Sequence, residues 1–393
     1  MRGSAFAIWT VTVSDSNALL EYPTPDATRA SGSDVVGVVL AGAYPTMGRI
    51  PSGSMPRPLL PVAQLPVITH VLHWLREGGM TRATVCANAA SREVGRLVGD
   101  GSSVGLHLTH AEDVMPRGPA GCARDAALAY SADTFVVADA TVIPNFALQD
   151  VIDAHRASGA ALTAVVHYTP RGARPGPCAA TPTGIYVFAR RAFEAVLSTG
   201  FQDIKEHLLP ALRRRHERVM AYVSREFCPR VLNAETYLAV NHWMLDRLAA
   251  DPAAIERWSP IARRGQLMAH PSADVHPTAT TIGPVLLGPR VSIGAHAVIV
   301  GPTSIGADTH VAEGAAVCRS VIWRDAKIGE RAYVDACVVG DSVTVAAGTA
   351  LHSNVSVNEK AVDGRRRREW GVPMPLRPAA VATATSMVDL ATP

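Results

Sequence analysis

The chain has few of the features that mark secreted, membrane or nucleic-acid-binding proteins. Its six cysteines are scattered over 393 residues without a C-x-x-C pair, which gives no basis for a disulfide framework or a cysteine metal cluster. No apolar run approaches the roughly 20 residues of a transmembrane helix, so we expect no membrane partner. The net charge of +3 is too small to argue for a nucleic-acid partner. These absences predict a cytoplasmic globular protein, and the length predicts more than one domain.

Residues 34–250 alternate short apolar runs with longer amphipathic segments. Strands are expected at Val35–Leu40, Ala83–Ala87, Gly105–His110, Phe135–Ala138, Leu162–His167 and Ile185–Phe188. Helices are expected at Val67–Glu77, Ser91–Val98, Gly118–Tyr130, Phe146–Ala157, Arg191–Leu197, Ile204–Arg214 and Ala234–Ala249. This alternation is typical of a mostly parallel sheet that helices cover on both faces. We therefore predict an α/β domain over residues 34–250, preceded by a disordered extension over residues 1–33.

Large aliphatic residues recur every six positions in the C-terminal third of the chain. They stand at Leu287, Ile293, Ile299, Ile305, Val311 and Val317, then after a slip of one residue at Ile322, Ile328 and Val334, and after a second slip at Val339, Val345 and Leu351. One inward aliphatic residue per short strand, with small residues at the corners, is the hexapeptide pattern of a left-handed parallel β-helix. We predict this β-helix over residues 271–357, with a linker at 251–270 and a mobile tail at 358–393.

The first predicted strand ends in L-A-G (40–42), at a place where many α/β proteins bind phosphate groups. Ligands of such sheets bind beyond the carboxyl ends of the strands, and Asp139 stands at the end of another predicted strand. The loop that follows residue 42 contains Pro45, which has no N–H to donate, and Met47, which carries no charge. The edge of the sheet is therefore the candidate ligand site, although its loop departs from a phosphate-binding loop.

Several segments match one family in their sequence and in their order. Residues 40–62 align without a gap with the family's loop pattern, L-A-G-G-x-G-T-R-L-x-P-L-T-x-x-x-P-K-P-L-L-P-V. Five further segments of this chain match the family: G-P-A-G-C-A (118–123), T-G-I-Y-V-F (183–188), F-Q-D-I-K-E-H-L-L-P-A-L (201–212), E-T-Y-L-A-V-N (235–241) and R-S-V-I-W-R-D-A-K-I-G-E (319–330). Together they resemble the sugar-1-phosphate nucleotidyltransferases, especially the mannose-1-phosphate guanylyltransferase branch. The resemblance covers about residues 35–357 and implies a Rossmann-like nucleotidyltransferase domain, with a mostly parallel mixed sheet, followed by a left-handed β-helix.

The family reaction is attack by a sugar phosphate on the α-phosphate of a nucleoside triphosphate, with release of pyrophosphate. The resemblance implies catalytic roles for Arg57, which replaces the family's Lys, and for Asp139, the first of two aspartates that hold Mg²⁺. The second metal aspartate corresponds to Arg230 in this sequence. Nucleotide binding is implied for Leu40, Ala41, Gly42, Gly118 and Gly121, and sugar binding for Gly184.

This sequence departs from the family pattern at further positions. Two loop glycines are replaced by Ala43 and Pro45, the loop Arg is replaced by Met47, and Arg49 follows two residues later. The segment Tyr168–Thr183 contains no Lys, whereas the family has a Lys there that holds the sugar phosphate. Loss of one preorganised charge-stabilising donor costs about 10²–10³ in rate, and several are missing together. We therefore predict a catalytically impaired homologue, regulatory or scaffolding, that requires no cofactor and uses Mg²⁺ only if it is active.

Two other functions stay open at the level of the sequence. One is an active nucleotidyltransferase with a rebuilt site that uses Arg57, Arg49 and Asp139. The other is a hexapeptide acyltransferase, in which a β-helix histidine acts as general base. The candidates for that base are His296, His310 and His352.

The predicted partners follow from the same residues. We expect weak, Mg²⁺-independent binding of a nucleotide or nucleotide sugar, and assembly through the β-helix into a homo-oligomer or a hetero-oligomer with an active paralogue. Exchange of one metal aspartate for an arginine further predicts an ion pair between Asp139 and Arg230. If that pair is largely buried, removing one partner is expected to be costly.

Overall fold

The structure, a computed structural model, describes residues 35–42, 55–113, 115–169, 179–251, 261–353, 355–356 and 361–362. The first part of the chain forms a Rossmann-like α/β domain. Its strands are β1 Val35–Leu40, β2 Pro61–Val62, β3 Leu65–Pro66, β4 Arg82–Asn88, β5 His107–Asp113, β6 Thr134–Asp139, β7 Leu162–Thr169, β8 Ala179–Ala189 and β9 Val219–Val223. Its helices are α1 Val67–Glu77, α2 Arg92–Val98, α3 Gly118–Ala127, α4 Leu148–Ser158, α5 Leu209–Arg214 and α6 Ala234–Ala250.

The main sheet has the strand order β5-β4-β1-β6-β8-β7-β9. All neighbouring strands are parallel except β8, which runs antiparallel to both β6 and β7. The side chains of α1, α2 and α4 pack on one face of this sheet, and those of α3 and α5 pack on the other. The predicted mostly parallel mixed sheet with helices on both faces is therefore confirmed.

The prediction of a helix at Arg191–Leu197 is wrong. Residues Arg190–Ala195 form a 3₁₀ turn, which ends because the backbone of Val196 is extended. The helix expected at Ile204–Arg214 is divided into a π-helical turn, Ile204–Leu208, and α5. Pro210 explains the division, because proline has no N–H for the helical ladder and is tolerated only in the first turn of a regular helix.

The second part of the chain is a parallel β-helix. Its strands are β10 Ala262–Arg264, β11 Leu267–Ala269, β12 Asp274–Val275, β13 Thr280–Ile282, β14 Val285–Leu287, β15 Ser292–Ile293, β16 Val298–Val300, β17 Thr303–Ile305, β18 His310–Val311, β19 Ala316–Cys318, β20 Val321–Ile322, β21 Lys327–Ile328, β22 Tyr333–Asp335, β23 Val338–Val339, β24 Thr344–Val345, β25 Ala350–His352, β26 Val355–Ser356 and β27 Ala361–Val362. From β11 onward, strands from successive coils pair in parallel and form three sheets. Every aliphatic residue of the hexad series is buried in the core between these sheets.

Part of the segment predicted as a linker, residues 251–270, has regular structure. Residues 262–269 form β10 and β11, and β11 pairs in parallel with β14, so that Leu267–Ala269 extends one sheet of the β-helix. Met268 is fully buried in this strand because it packs in the core shared with α6. Residues 1–33, residues 252–260 of the linker, and nearly all of the predicted tail, including Arg365–Arg368, lie outside the described residues.

Helix α6 joins the two parts of the chain. It packs against one outer face of the β-helix in a core that includes Tyr237, Leu245, Leu286 and Trp323. Among the described helices, none combines the length and the apolar character needed to cross a bilayer.

Candidate functional site

The candidate site lies at the carboxyl edge of the main sheet. Asp139, at the end of β6, is the register partner of Leu40, at the end of β1. The N–H of Ala140 donates to the carbonyl of Leu40 at 3.0 Å, and the N–H of Ala41 donates to the carbonyl of Cys86 at 2.8 Å. The strand ends named from the sequence are therefore adjacent in the fold, at the edge where α/β sheets bind ligands.

The carboxylate of Asp139 is held by three donors. Its Oδ1 accepts hydrogen bonds from the N–H and the Oγ1 of Thr141, at 2.8 and 2.6 Å. Its Oδ2 accepts from Nη2 of Arg230, and Nε of Arg230 donates to Oγ1 of Thr141 at 3.2 Å. The predicted Asp139–Arg230 ion pair is confirmed. It is not largely buried, because the two side chains are 27% and 36% exposed, so the large cost expected for a buried pair does not apply.

Backbone pairing explains why Arg230 reaches Asp139. Arg230 forms an antiparallel bridge with Val142, just beyond the end of β6. The N–H of Val231 donates to the carbonyl of Thr141 at 2.9 Å, and the N–H of Ile143 donates to the carbonyl of Pro229 at 2.9 Å. The position of the guanidinium is therefore set by an extended segment rather than by a free loop.

Gly184, the predicted sugar-binding residue, lies directly against the ion pair. A Cβ on Gly184 would stand 3.2 Å from Cβ of Asp139 and 3.7 Å from Cζ of Arg230. Its φ of +93° also lies in a region that favours glycine. The described structure thus explains the glycine by close packing at the site, and its contact with a sugar stays a prediction.

Arg57 belongs to a 3₁₀ turn, Arg57–Leu59. Its Nη1 donates a long hydrogen bond of 3.4 Å to the carbonyl of Leu232. Burial lowers the pKa of Arg57 from its ordinary value, with a smaller lowering from the charge of Arg230 and an opposing effect of Asp139. The group of Arg57, Arg230 and Asp139 carries two positive charges and one negative charge. Its net charge of +1 favours the binding of an anion.

These residues do not fit a Mg²⁺ ion in the way the family resemblance implies. Mg²⁺ needs oxygen ligands in an octahedral set, including one or two carboxylates. Both carboxylate oxygens of Asp139 already accept hydrogen bonds, and one of the donors is a cation. Within the described part of the chain, no three His, Cys, Asp or Glu side chains come together as a metal site.

The two glycines of α3 have contacts that packing alone explains. Gly118 has a φ of +72°, and a Cβ there would stand 2.6 Å from the carbonyl oxygen of Gln202. A Cβ on Gly121 would stand 3.0 Å from Cβ of Arg117. The close packing of α3 requires glycine at Gly118, and nucleotide binding by Gly118 and Gly121 stays a prediction.

Sequence reasoning missed two residues of the site. Thr141 supplies two of the hydrogen bonds to Asp139, and its position two residues after an aspartate is a signal for an Asx turn that could have identified it. Tyr186 is almost fully buried, and burial raises the pKa of its hydroxyl, with Arg230 opposing and Asp139 reinforcing the shift. The T-G-I-Y-V-F segment indicates a strand but does not show that its tyrosine lies near the ion pair.

Several predicted features lie outside the described residues. They are the loop residues Ala43, Pro45, Met47 and Arg49, and residues 170–178 of the segment without a Lys. The candidate acyltransferase bases His296, His310 and His352 are all described and exposed on the surface of the β-helix. The imidazole of His352 is 3.8 Å from the carboxylate of Asp335, which also pairs with Arg319.

Comparisons with known proteins agree with this architecture. The family profile described as "Nucleotidyl transferase" matches residues 36–176, and the profile described as "GMPPB C-terminal domain" matches residues 263–369. Mannose-1-phosphate guanylyltransferase of Mycobacterium tuberculosis is 26% identical over 282 residues, which cover 66% of this chain and 77% of that protein. The mannose-1-phosphate guanylyltransferase catalytic subunit beta of Drosophila pseudoobscura pseudoobscura is 26% identical over 146 residues, 36% of this chain and 39% of that protein.

Among solved structures, a Bacillus anthracis protein described as a glucose-1-phosphate thymidylyltransferase, in complex with a sucrose, has 16% identity and a TM-score of 0.45. The match covers 53% of this chain and 94% of that chain, and the likeness is too weak to support an argument. The fold and the two family profiles define a nucleotidyltransferase domain joined to a parallel β-helix. The chain belongs to the sugar-1-phosphate nucleotidyltransferase family of nucleotide-sugar metabolism and is similar to its mannose-1-phosphate guanylyltransferase members.

Proposed function

We propose that this chain is a catalytically impaired homologue of mannose-1-phosphate guanylyltransferase, with a regulatory or scaffold role. The observation that supports this is the guanidinium of Arg230 on the carboxylate of Asp139, where the family resemblance calls for a second carboxylate and Mg²⁺. Transfer of a nucleotidyl group needs the charge of the polyphosphate neutralised and both phosphates held in line. A fixed guanidinium already engaged by Asp139 and Thr141 is a poor substitute for a metal ion that bridges both reactants.

The proposed ligand is a nucleotide or nucleotide sugar, bound weakly and without Mg²⁺. The net charge of the Arg57, Arg230 and Asp139 group attracts a phosphate, and Arg57 is the cation with the fewest described contacts in the group. The backbone at Leu40, Ala41 and Gly42 lies at the same edge. Calorimetric titration of a panel of nucleotides and nucleotide sugars, in EDTA and in Mg²⁺, is expected to give similar weak affinities. An affinity that depends strongly on Mg²⁺ would contradict the proposal.

Turnover is the direct test of the impaired site. Purified protein is mixed with Mg²⁺, each of several nucleoside triphosphates and each of several hexose 1-phosphates, and pyrophosphate release is measured. We expect no release above a protein-free blank. Substrate-dependent release that is lost in Arg57→Gln but kept in the surface variant Arg92→Gln would instead establish the alternative, an active transferase with a rebuilt site.

The β-helix is the proposed element of self-association. One of its outer faces is covered by α6, and a second presents polar side chains such as Lys327. The third face carries exposed apolar side chains, including Ile282 at 55% and Tyr333 at 38% exposure. We expect Ile282→Glu to lower the mass measured by light scattering and Lys327→Glu to leave it unchanged. Equal masses for wild type and Ile282→Glu would argue against self-association through this face.

A further inference from the structure

A short hairpin connects the Arg57 segment to the β-helix. It consists of β2 and β3, and its turn residues Ala63 and Gln64 have φ values of +46° and +69°. Nε2 of Gln64 donates to two β-helix carbonyls, those of Ile305 at 3.0 Å and Leu286 at 3.3 Å. A Cβ on Gly288 would stand 2.8 Å from Oε1 of Gln64, so glycine at this corner leaves room for the side chain. The hairpin is therefore fastened to two successive coils.

Helix α6 holds the same hairpin from its other side. The hydroxyl of Tyr237 donates to the carbonyl of Pro61 and accepts from Nε1 of Trp323, on the β-helix, at 2.9 Å. The side-chain oxygen of Asn241 accepts from the N–H of Ala63 at 3.0 Å. Tyr237, Asn241 and Trp323 are all buried, so these bonds form in an environment where an unmade hydrogen bond is costly.

The start of α6 leads directly back to the candidate site. Asn233, three residues after Arg230, caps the helix in a reciprocal arrangement with Thr236. The carbonyl of Leu232, between Arg230 and this cap, accepts the hydrogen bond from Arg57. Both arginines of the site thus belong to segments that end at the interface with the β-helix.

We infer that the β-helix is a structural part of the candidate site, and that Gln64 and Trp323 are positioning residues that set Arg57 and Arg230 against Asp139. Gln64 holds the hairpin after Arg57, and Trp323 holds Tyr237 on the helix after Arg230. The hairpin and the helix are joined by the bonds of Tyr237 and Asn241 to Pro61 and Ala63, so loosening either contact is expected to reach the Arg230 segment. The inference applies equally to an active and to an inactive site, so it does not rest on the proposed function.

Hydrogen–deuterium exchange of the full chain, followed by mass spectrometry, tests this inference. Gln64→Met removes the donor and keeps the length of the side chain. Gln149→Met is the matched control, because among the described residues Nε2 of Gln149 donates only to Asp153, on the surface of α4, at 2.9 Å. The reporter peptides cover residues 139–143 and 228–233, which contain the amides of Thr141, Ile143 and Val231 and make no contact with Gln64 in the described hydrogen bonds.

We expect exchange in both reporter peptides to rise about threefold or more in Gln64→Met, relative to the central strand β1, and to stay unchanged in Gln149→Met. Faster exchange confined to the hairpin would overturn the inference, as would an equal rise in β1, which reports global unfolding. Should Gln64→Met fail to fold, Trp323→Phe provides the second test, since it removes only the indole donor to Tyr237. The same reporter peptides must then respond, and unchanged peptides in that variant also overturn the inference.

Discussion

The substitution Arg230→Asp places a carboxylate where the family resemblance expects the second metal ligand. It removes a charged hydrogen bond to Asp139 and a hydrogen bond of 3.2 Å to Thr141. Because the pair is 27% and 36% exposed, solvent screening limits this loss to about 1–2 kcal/mol. Two carboxylates about 5 Å apart at an intermediate effective dielectric repel by a further 1–2 kcal/mol or so. Arg57 offsets part of this repulsion, so we expect a net loss near 3 kcal/mol at most.

The same variant is expected to respond to Mg²⁺. At about 2.1 cal/mol/K of unfolding entropy per residue, a loss of about 3 kcal/mol lowers the Tm of a 393-residue chain by roughly 4 °C. Mg²⁺ at about ten times its Kd then restores about 1.4 kcal/mol, which corresponds to roughly 2 °C. The assay is a thermal melt over a series of MgCl₂ concentrations at constant ionic strength, with EDTA as the reference. Wild type is expected to show no such response.

Arg230→Gln is the control that separates metal binding from loss of the ion pair. It removes the cation without adding a carboxylate, so it should be destabilised by about 1–2 kcal/mol and stay indifferent to Mg²⁺. Two results would contradict this prediction: Arg230→Asp melts like wild type, or Mg²⁺ raises the Tm of all three proteins equally. Either result would mean that Arg230 has not taken the place of a metal ion beside Asp139.

Three further predictions concern the stability of the fold. Gly184→Ala should cost about 1–2 kcal/mol more than Gly79→Ala in urea denaturation, because their φ values of +93° and +86° are similar but only a Cβ at Gly184 would meet a neighbour. Burial lowers the pKa of His155 to about 4. Between about pH 6.5 and 4 the imidazole therefore stays neutral in the folded state, whereas it binds a proton in the unfolded chain. Stability should therefore fall as the pH drops from about 6.5 towards 4, by at most about 3 kcal/mol, and a His155→Gln variant should show a flatter profile. Ile328→Ala should cost about 2–4 kcal/mol by leaving a cavity in the β-helix, whereas the exposed neighbour Lys327→Ala should change stability by less than about 0.5 kcal/mol.

The β-helix could be predicted in detail because its order is local. Each hexad specifies one inward side chain, and the residues of the series are all buried as expected. Even the slip after Val317 has a structural counterpart in the length of the coil. The paired residues Ser292 and His310 are 18 positions apart, whereas the next pair, His310 and Lys327, is 17 positions apart. A repeated short-range pattern determines such a structure without knowledge of distant contacts.

The α/β domain could be predicted less completely because parts of it depend on distant contacts. Strand β9, Val219–Val223, was missed because its side chains are half-buried or exposed and lack a strong apolar pattern. Its pairing with β7 defines it as a strand. The hairpin of β2 and β3 was missed for a related reason, since its turn is held by Asn241 and by the β-helix rather than by turn residues with local preferences.

Asp139 shows why one retained residue is weak grounds for inferring a retained reaction. In a metal-dependent site, an aspartate at a strand end needs a cation to balance its charge beside a second carboxylate. In this chain both oxygens of the carboxylate accept hydrogen bonds from the protein itself, because Thr141 supplies two donors and Arg230 supplies a third together with the balancing charge. The aspartate therefore has a structural role that would persist in a protein with no transferase activity. The residue that distinguishes the two cases is its partner, and position 230 is informative only because backbone pairing with Val142 places it beside Asp139.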